Sequence, residues 1–324
     1  MTDERRNEIA TKVFKGPKPA VKKLGTIHAR KLTETTPLVY KGELLRFEVC
    51  RPGRFLREKD LAGGPIDGRP CLRFVNVRTG QPTPRFAFDH IFGFAMVVDD
   101  MMYVVSGKGT TWGSDTLTFY RSSDLVNWEE YTELHIPGFE VHNMNIAKMG
   151  DTYTLLVETS APIDRTVQKP FIFRFLQSKD MTNWILLPEE YMFQKARYSG
   201  APAIYTLEGD PHYYVFYLEA YPHECYATCV ARSKDLINWE YSLRNPVLMF
   251  DEAEDKKIAN PNLSAEDREL IAKAIDINNS DMEICEFNGR VVIYYMWGNQ
   301  INYDFLAEAY YEGTMKDFIL GFFE

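Results

Sequence analysis

Apolar and polar positions along this chain alternate in short runs, and the runs recur in the same order. Three stretches open the recurring units: "FDHIFGFAMVVDDMMYVVSGK" from Phe88, "VHNMNIAKMGDTYTLLVET" from Val141 and "YSGAPAIYTLEGDPHYYVFYLEA" from Tyr198. Each contains an apolar run, a polar break with Asp or Gly, and a second run rich in Tyr, Val and Leu, which predicts strand, tight turn, strand. A third predicted strand and a short fourth follow, so each unit predicts four strands.

The junction between the third and fourth predicted strands carries a repeated motif: "RSSDLVNWEE", "QSKDMTNWIL" and "RSKDLINWEY". Its tryptophans, Trp128, Trp184 and Trp239, are 56 and 55 residues apart. Four strands per unit at this spacing are typical of a β-propeller blade. A worn fourth unit begins at "NNSDMEI" and has "MKDFI" in place of the motif, while residues 38–85 have strand chemistry for a fifth. The sequence therefore predicts an all-β fold: a five-bladed β-propeller of four-stranded antiparallel blades over residues 36–324.

Two segments outside this pattern predict helices. Residues 1–35 are rich in Lys and Arg and predict a basic, partly helical arm outside the ring, a surface for a possible homo-oligomer. The segment "NPNLSAEDRELIAKAI" has Ser264 as an N-cap and Asp267 three residues later, ahead of apolar residues. It predicts a helix inserted before the last blade.

Composition narrows the class of protein. The formal net charge of -9 disfavours nucleic acid as a partner, because such binders need a basic face to release counterions. No apolar run is long enough to span a bilayer, and "MTDERRNE" lacks the apolar core of a signal peptide. We therefore expect a soluble, cytoplasmic protein with no membrane partner. Five scattered cysteines predict reduced thiols rather than a disulfide framework.

The aspartates of the repeated motif predict a structural role. Asp124, Asp180 and Asp235 stand where a sharp turn needs acceptors for backbone N–H groups. The tryptophan of each motif is then expected to cover the seam between sheets. Because three equivalent outer turns cannot serve one central site, the motif is interpreted as scaffold.

These "SKDLINW" and "SKDMTNW" turns, recurring after strand pairs with Asp-Gly or Asn-Gly breaks, resemble the five-bladed β-propeller glycoside hydrolases: family 43 and its relatives, families 32, 62, 117 and 130. The likeness covers residue 38 to the C-terminus. It implies an active site at the axis, where the innermost strands begin. It also implies that carboxylates there act as base or nucleophile, as proton donor, and as an orienting group.

The resemblance is carried over one unit at a time. Asp89 matches the acidic residue that opens the first catalytic strand, which implies a base or nucleophile. In the next unit His142 stands where the family often has Asp. In the third, the Glu-Gly-Pro of the proton donor is replaced by residues 199–202, "SGAP". In the last, Asp281 and Glu283 alternate along one predicted strand and are expected to point the same way. The acid has therefore moved to this strand or to a loop, or the protein is not a hydrolase.

The loops between second and third strands are expected to lie over the pocket and supply further candidates. Glu219 and Glu158 follow the second strands of neighbouring units, where they form either a rim or the missing donor. The catalytic candidates are thus Asp89, Asp281 and Glu219. The substrate-binding candidates are His90, Trp112, His142, Glu158, Arg197, His223, Glu224, Glu283, Trp297 and Gln300. For each His a structural role, and for the two Trp a packing role, stays open.

The resemblance implies glycoside hydrolysis by two carboxylates, one protonating the leaving oxygen and the other attacking or activating water. We expect exo-action on short oligosaccharides, with inversion favoured. The alternatives are a carbohydrate-binding propeller without activity, or a phosphorylase using Arg46, Arg51, Arg165 or Arg197. No cofactor is required, although a calcium or other ion in the central channel, bound by Asp281, Asn279 or His142, stays open.

Overall fold

The computed structural model describes residues 8–9, 11–29, 32, 35–51, 68–110, 112–162, 171–194 and 198–324. These ranges form mostly antiparallel β-sheet. The first strand, β1 (Lys22–His28), belongs to the last sheet. The next sheet has three strands, β2 (Thr36–Tyr40), β3 (Glu43–Cys50) and β4 (Cys71–Asn76). Two four-stranded sheets follow. They contain β5 (His90–Val98), β6 (Met101–Lys108), β7 (Thr116–Ser122) and β8 (Glu129–His135), then β9 (Glu140–Met149), β10 (Thr152–Ala161), β11 (Ile172–Ser178) and β12 (Ile185–Leu186).

The remaining strands form two further antiparallel sets. One contains β13 (Gly200–Thr206), β14 (Tyr213–Tyr221), β15 (Cys225–Ser233) and β16 (Glu240–Tyr241). The other contains β17 (Asn278–Phe287), β18 (Arg290–Gly298) and β19 (Asp304–Glu312), with β1 paired to β19. A parallel pairing of Tyr226 with Asn278 links the two sets. The inner strands contact one another in cyclic order, β2 to β5, β9, β13, β17 and back to β2. The sheets therefore surround a common axis.

The repeated motif is the scaffold that its pattern predicts. Asp180 Oδ1 accepts hydrogen bonds from the backbone nitrogens of Thr182 and Asn183, at 2.9 and 2.8 Å. Asp124 and Asp235 make the same pair of bonds in their own turns. Each motif tryptophan stacks on a ring of the preceding sheet, in the pairs Trp128 with Phe74, Trp184 with Phe119 and Trp239 with Phe175. The predicted seam-covering role is confirmed.

The predicted N-terminal arm is corrected by the position of β1. Residues 22–28 pair antiparallel with β19 and supply the fourth strand of the last sheet, so they do not lie outside the ring. Residues 11–21 contain no helix, whereas residues 8–9 are helical. Part of the predicted arm, residues 1–7, lies outside the described residues. The homo-oligomer contact stays a prediction.

Besides the helical residues 8–9, the described part of the chain contains three short α-helices: α1 (Glu252–Asp255), α2 (Ala265–Lys273) and α3 (Met315–Leu320). Helix α2 is the predicted insertion, and Ser264 caps it by accepting from the backbone nitrogen of Asp267 at 3.1 Å. Helix α3 lies where the fourth unit has "MKDFI" in place of the motif. The sequence pattern did not predict this helix. Among the residues that the structure describes, 3-10 turns lie at Glu189–Tyr191 and Pro222–Glu224. Within the described ranges, no helix has the length and apolar character needed to cross a membrane.

Candidate active site

Four inner strands carry a β-bulge at the same level, where two residues oppose one residue of the second strand. The bulged pairs are residues 92–93 of β5, 142–143 of β9, 201–202 of β13 and 281–282 of β17. Their opposing residues are Ser106, Glu158, Tyr217 and Tyr295, respectively. A bulge bends the strand and re-aims its side chains. Four matched bulges therefore turn different side chains toward one place on the axis.

The backbone at three of these bulges is strained. Phe92, Ala201 and Asp281 have φ of +55°, +50° and +50°, in the left-handed region that residues other than glycine rarely adopt. Each such residue costs on the order of 1–3 kcal/mol and persists only where the surroundings enforce it. All three line the same pocket. The strain is therefore concentrated at one candidate site.

The pocket has a volume of about 250 Å³. Its carboxylates are Glu158, Asp281 and Asp304, and its aromatic side chains are Phe92, Trp112, Phe171 and Tyr198. The remaining polar side chains are Arg51, His142, Asn143, Ser280 and Gln300. Acidic groups beside aromatic faces and planar hydrogen-bonding groups form a surface suited to a sugar, which presents hydroxyl groups and apolar C–H faces.

Glu158 holds two of the bulges together. Its Oε2 accepts from Asn143 Nδ2 at 3.1 Å and from the backbone nitrogen of Ala201 at 2.8 Å. Glu158 is only 4% exposed. The burial of Tyr198 raises the pKa of its hydroxyl, and the charges of Glu158 and Asp281 raise it further. Tyr198 is therefore close to both carboxylates.

Asp281 and Glu283 occupy different depths of the same axis. Asp281 lines the pocket and accepts from Ser280 Oγ at 2.6 Å. Both residues also line a narrow cavity of about 20 Å³. Glu283 accepts from Asn145 Nδ2 at 2.7 Å and from the Tyr205 hydroxyl at 2.6 Å. Burial raises the pKa of Glu283 to about 8, against the lowering effect of these two bonds, so this carboxyl is largely protonated at pH 7.

His142 is a neutral side chain at the wall of the pocket. Its Nε2 lies 2.6 Å from Ser160 Oγ, and its ring packs against those of Phe92, Trp112 and Phe171. Burial lowers the pKa of the imidazole to about 4. Arg51 lies with its guanidinium carbon 4.6 Å from the ring centre of Phe92. The pocket thus contains a cation and a neutral imidazole beside its carboxylates.

Several of the candidates chosen from sequence meet in this pocket. It is lined by Asp281, Trp112, His142, Glu158 and Gln300, and Glu283 lines the narrow cavity. The aromatic and polar lining residues that sequence reasoning did not select are Phe92, Asn143, Phe171, Tyr198, Ser280 and Asp304; Arg51 entered only as a possible phosphate ligand. Asp304 begins β19, directly after a loop whose polar character was a usable signal. Phe92 gave none, because a bulge has no reliable local pattern.

Other candidates lie elsewhere, and the structure corrects their placement. Asp89 is about half-exposed and pairs with Arg69, whose bond lowers the pKa of Asp89. It precedes the bulge of β5 by three residues and lies in a turn. His90 is buried between Phe88, Thr118 and Tyr120, to which its ring nitrogens bond. Neither residue lines the pocket.

Strand alternation explains further corrections. Leu218 and Met296 line the pocket, so the next residues, Glu219 and Trp297, point to the opposite faces of their strands. Trp297 is fully buried and donates to Thr26 Oγ1 at 2.9 Å.

The last candidates are two residues just before β15 and Arg197. His223 bonds to Glu8 at 2.8 Å. Glu224 is exposed and does not line the pocket. Arg197 lies outside the described residues, so its predicted role is neither supported nor contradicted.

The residues considered for a central ion do not converge. Asn279 Oδ1 accepts from Lys23 Nζ at 2.6 Å, and Asn279 Nδ2 donates to Asp255 at 3.1 Å, whereas Asp281 and His142 face the pocket. In the part of the chain that the structure describes, no group of three or more His, Cys, Asp or Glu side chains is arranged to bind a metal ion.

Comparison with known proteins identifies the fold. Neither a family profile nor a curated protein matches the sequence. The catalytic domain of the family 62 α-L-arabinofuranosidase of Coprinopsis cinerea is 8% identical, with 91% of this chain and 97% of that chain covered and a TM-score of 0.59. The family 32 β-fructofuranosidase of Bombyx mori is 13% identical, with 94% of this chain and 65% of that chain covered and a TM-score of 0.53. The family 43 protein GH43B of the xyloglucan PUL of Bacteroides ovatus is 10% identical, with 89% of this chain and 54% of that chain covered and a TM-score of 0.55. The chain thus shares the fold of these glycoside hydrolases, as the resemblance in its sequence implied.

Proposed function

We propose that this chain is a five-bladed β-propeller glycoside hydrolase that acts on the end of a short oligosaccharide. The blade count is supported by the cyclic contacts of the five inner strands. The pocket volume of about 250 Å³ lies below the usual range for a drug-sized ligand. That size suits one terminal sugar residue better than the middle of a polysaccharide.

One observation carries the proposal: two carboxylates, Asp281 at a bulge and Glu158 opposite another, line one pocket with Tyr198 and further aromatic side chains. Two carboxylates of unlike environment are the minimum machinery for glycosidic cleavage. Asp281 accepts from the Ser280 hydroxyl, and such a bond favours the ionised form that a base needs. Glu158 is the more deeply buried of the two, and burial favours the protonated form that an acid needs, against the two hydrogen bonds that its Oε2 accepts.

The proposed reaction uses a water activated by Asp281 and a proton given by Glu158 to the leaving oxygen. Asp281 takes the proton of the attacking water, the C–O bond to the leaving group breaks, and Glu158 ends ionised. This direct displacement inverts the anomeric carbon, and it requires about 6.5–9.5 Å between the two carboxyl groups to hold the water.

Aryl glycosides test the two roles separately. Wild type is screened against 4-nitrophenyl and 2,4-dinitrophenyl glycosides of furanose and pyranose sugars. Asp281→Asn should abolish release from both leaving groups. Glu158→Gln should lose most activity on 4-nitrophenyl substrates and keep more on dinitrophenyl substrates, whose leaving group needs no proton.

Asp89→Asn is the matched control, since this exposed carboxylate lies outside the pocket, and its activity should equal that of wild type. Full activity of folded Asp281→Asn would remove that residue from the mechanism.

A binding protein without activity is the second candidate. It is favoured by the bulges of β5, β9 and β13, which carry Phe92, His142 and Ala201 where β17 carries a carboxylate. Arg51 in the pocket also fits phosphorolysis. Sugar binding by calorimetry with no release would favour the binding protein. Release that depends on added phosphate would favour a phosphorylase.

A further inference from the structure

A chain of polar side chains at the start of β17 leads to Asp281. Gln300 Nε2 donates to Asn278 Oδ1 at 2.9 Å, and Asn278 Nδ2 donates to Ser280 Oγ at 3.0 Å. Ser280 Oγ then donates to Asp281 Oδ2 at 2.6 Å. Asn278 is fully buried and Ser280 is 2% exposed. The three bonds therefore form one connected path, largely shielded from solvent, that ends on the proposed base.

The chemistry of the groups sets the direction of this chain. An amide NH2 group can only donate, and an ionised carboxylate can only accept. Since Ser280 accepts from Asn278, its single hydroxyl proton is available for Asp281. A hydrogen bond from a neutral donor to a carboxylate is shorter and stronger than one between neutral groups, in keeping with the 2.6 Å separation.

The surroundings of Asp281 oppose its ionisation, so a donor that favours the ionised form has a larger effect there. The acidic groups around it are Glu283 of its own strand, Glu158 of β10, Asp304 of β19 and the Tyr198 hydroxyl, and among the described residues the basic groups that line the pocket are Arg51 and His142. Partial burial disfavours the charge of Asp281, and each of the acidic neighbours disfavours it further when it is itself ionised. Asp281 also has a left-handed backbone, with φ of +50°, and this conformation needs contacts that fix the side chain.

We propose that Ser280, itself held by Asn278, is a positioning residue that keeps the Asp281 carboxylate ionised and fixed toward the pocket. This inference deepens the proposed function and rests on it. Asn278 does not line the pocket and acts through Ser280, whereas Ser280 lines the pocket and donates to Asp281. Their removal should therefore change the state of Asp281 more than the binding of sugar.

Selective 13C labelling of aspartate side chains tests the proposal without requiring activity. The Asp281 signal is assigned by its loss in Asp281→Asn and followed by NMR against pH. In Ser280→Ala the titration midpoint of this signal should rise by about one pH unit, because the donor that favours the ionised form is gone. Asn278→Ala should raise it less, and the double variant should add little to Ser280→Ala, since the two act in one chain.

Ser199→Ala is the matched control. Ser199 is also buried beside an inner strand, but its hydroxyl donates to Gln194 at 2.8 Å, so the Asp281 midpoint should not move. If Ser280→Ala does not fold, Ser280→Cys keeps a side chain of similar shape with a weaker donor and should raise the midpoint in the same direction.

Kinetics separate this proposal from the proposed function. With a cleaved substrate in hand, Ser280→Ala should lower kcat about tenfold and leave KM within about twofold, as expected for a group that acts in the transition state. An Asp281 midpoint unchanged in folded Ser280→Ala overturns the role of Ser280. Sugar release absent from wild type, together with a raised midpoint in Ser280→Ala, overturns hydrolysis and leaves the role of Ser280 standing.

Discussion

Glu158 Oε2 lies 2.8 Å from the backbone nitrogen of Ala201, and the two residues belong to neighbouring sheets. The same oxygen accepts from Asn143, so one buried carboxylate binds the bulges of β9 and β13. The shape of the pocket therefore depends on a group that is also a candidate for its chemistry.

Glu158→Ala should destabilise the protein apart from any effect on activity. It leaves the Ala201 N–H and the Asn143 amide without their acceptor, and each buried donor left without an acceptor costs about 1–3 kcal/mol. Urea unfolding measures the loss. Glu130→Ala, at an exposed position on β8, is the control and should change stability little. Equal stability of wild type and Glu158→Ala would contradict the bridging role.

Trp112→Ala should weaken substrate binding and spare the fold. This side chain is 61% exposed yet lines the pocket. Its ring face is therefore available to a sugar ring, and it contributes little to the packing of the core. KM should rise about tenfold, equivalent to about 1.4 kcal/mol, with Tm nearly unchanged. Trp297→Ala is the matched comparison, because Trp297 is fully buried. It should cost about 3–5 kcal/mol of stability. An unchanged KM for Trp112→Ala would exclude a binding role.

Glu48 should make the free energy of unfolding depend on pH in the acidic range. Its buried carboxylate bonds to Arg46 and Arg73, each at 2.7 Å. Burial alone would raise the pKa of Glu48, but the two guanidinium groups lower it from 4.5 to about 2. Because the folded pKa is depressed, the stabilisation is complete above about pH 4.5 and is lost as pH falls toward 2.

Urea unfolding of wild type and Glu48→Gln at pH 7 and pH 3 tests this dependence. Glu48→Gln should be less stable at pH 7 by about 3–5 kcal/mol, since it removes the negative charge that pairs with the buried Arg73 and the part-buried Arg46. The difference should shrink at pH 3. Glu43→Gln is the control, because Glu43 is also on β3 but its ion pair with Arg78 is exposed. This change should alter stability little at either pH. A difference that is constant with pH would contradict the assignment.

The outer-turn aspartates should matter for stability and not for activity. Asp180 accepts two backbone N–H groups, and these bonds, together with the bond from the Asn183 side chain, lower the pKa of Asp180. Asp180→Ala should lower Tm and leave kcat unchanged. Asp124→Ala and Asp235→Ala should act additively with it, because the turns are in separate sheets. Loss of activity at full stability would point to a role beyond scaffold.

Much of the site could be predicted because the repeats give a measure of distance along the chain. Counting back from the motif reached His142 and Asp281, which do lie at bulges facing the pocket. The same count gave Asp89 and Ser199 where the bulged residues are Phe92 and Ala201. Loop length between strands differs from unit to unit, so the count errs by two or three residues.

The sequence by itself determined the strand units, the motif turns with their aspartate acceptors and the inserted helix, because short-range hydrogen bonds and apolar periodicity govern these features. Only the tertiary structure decided which side chains meet at the axis. Bulges and register depend on pairing between strands, and a shift of one residue turns a side chain to the opposite face. That is why Glu219 and Trp297 are turned away from the pocket, while Glu158 from one sheet reaches Ala201 of the next.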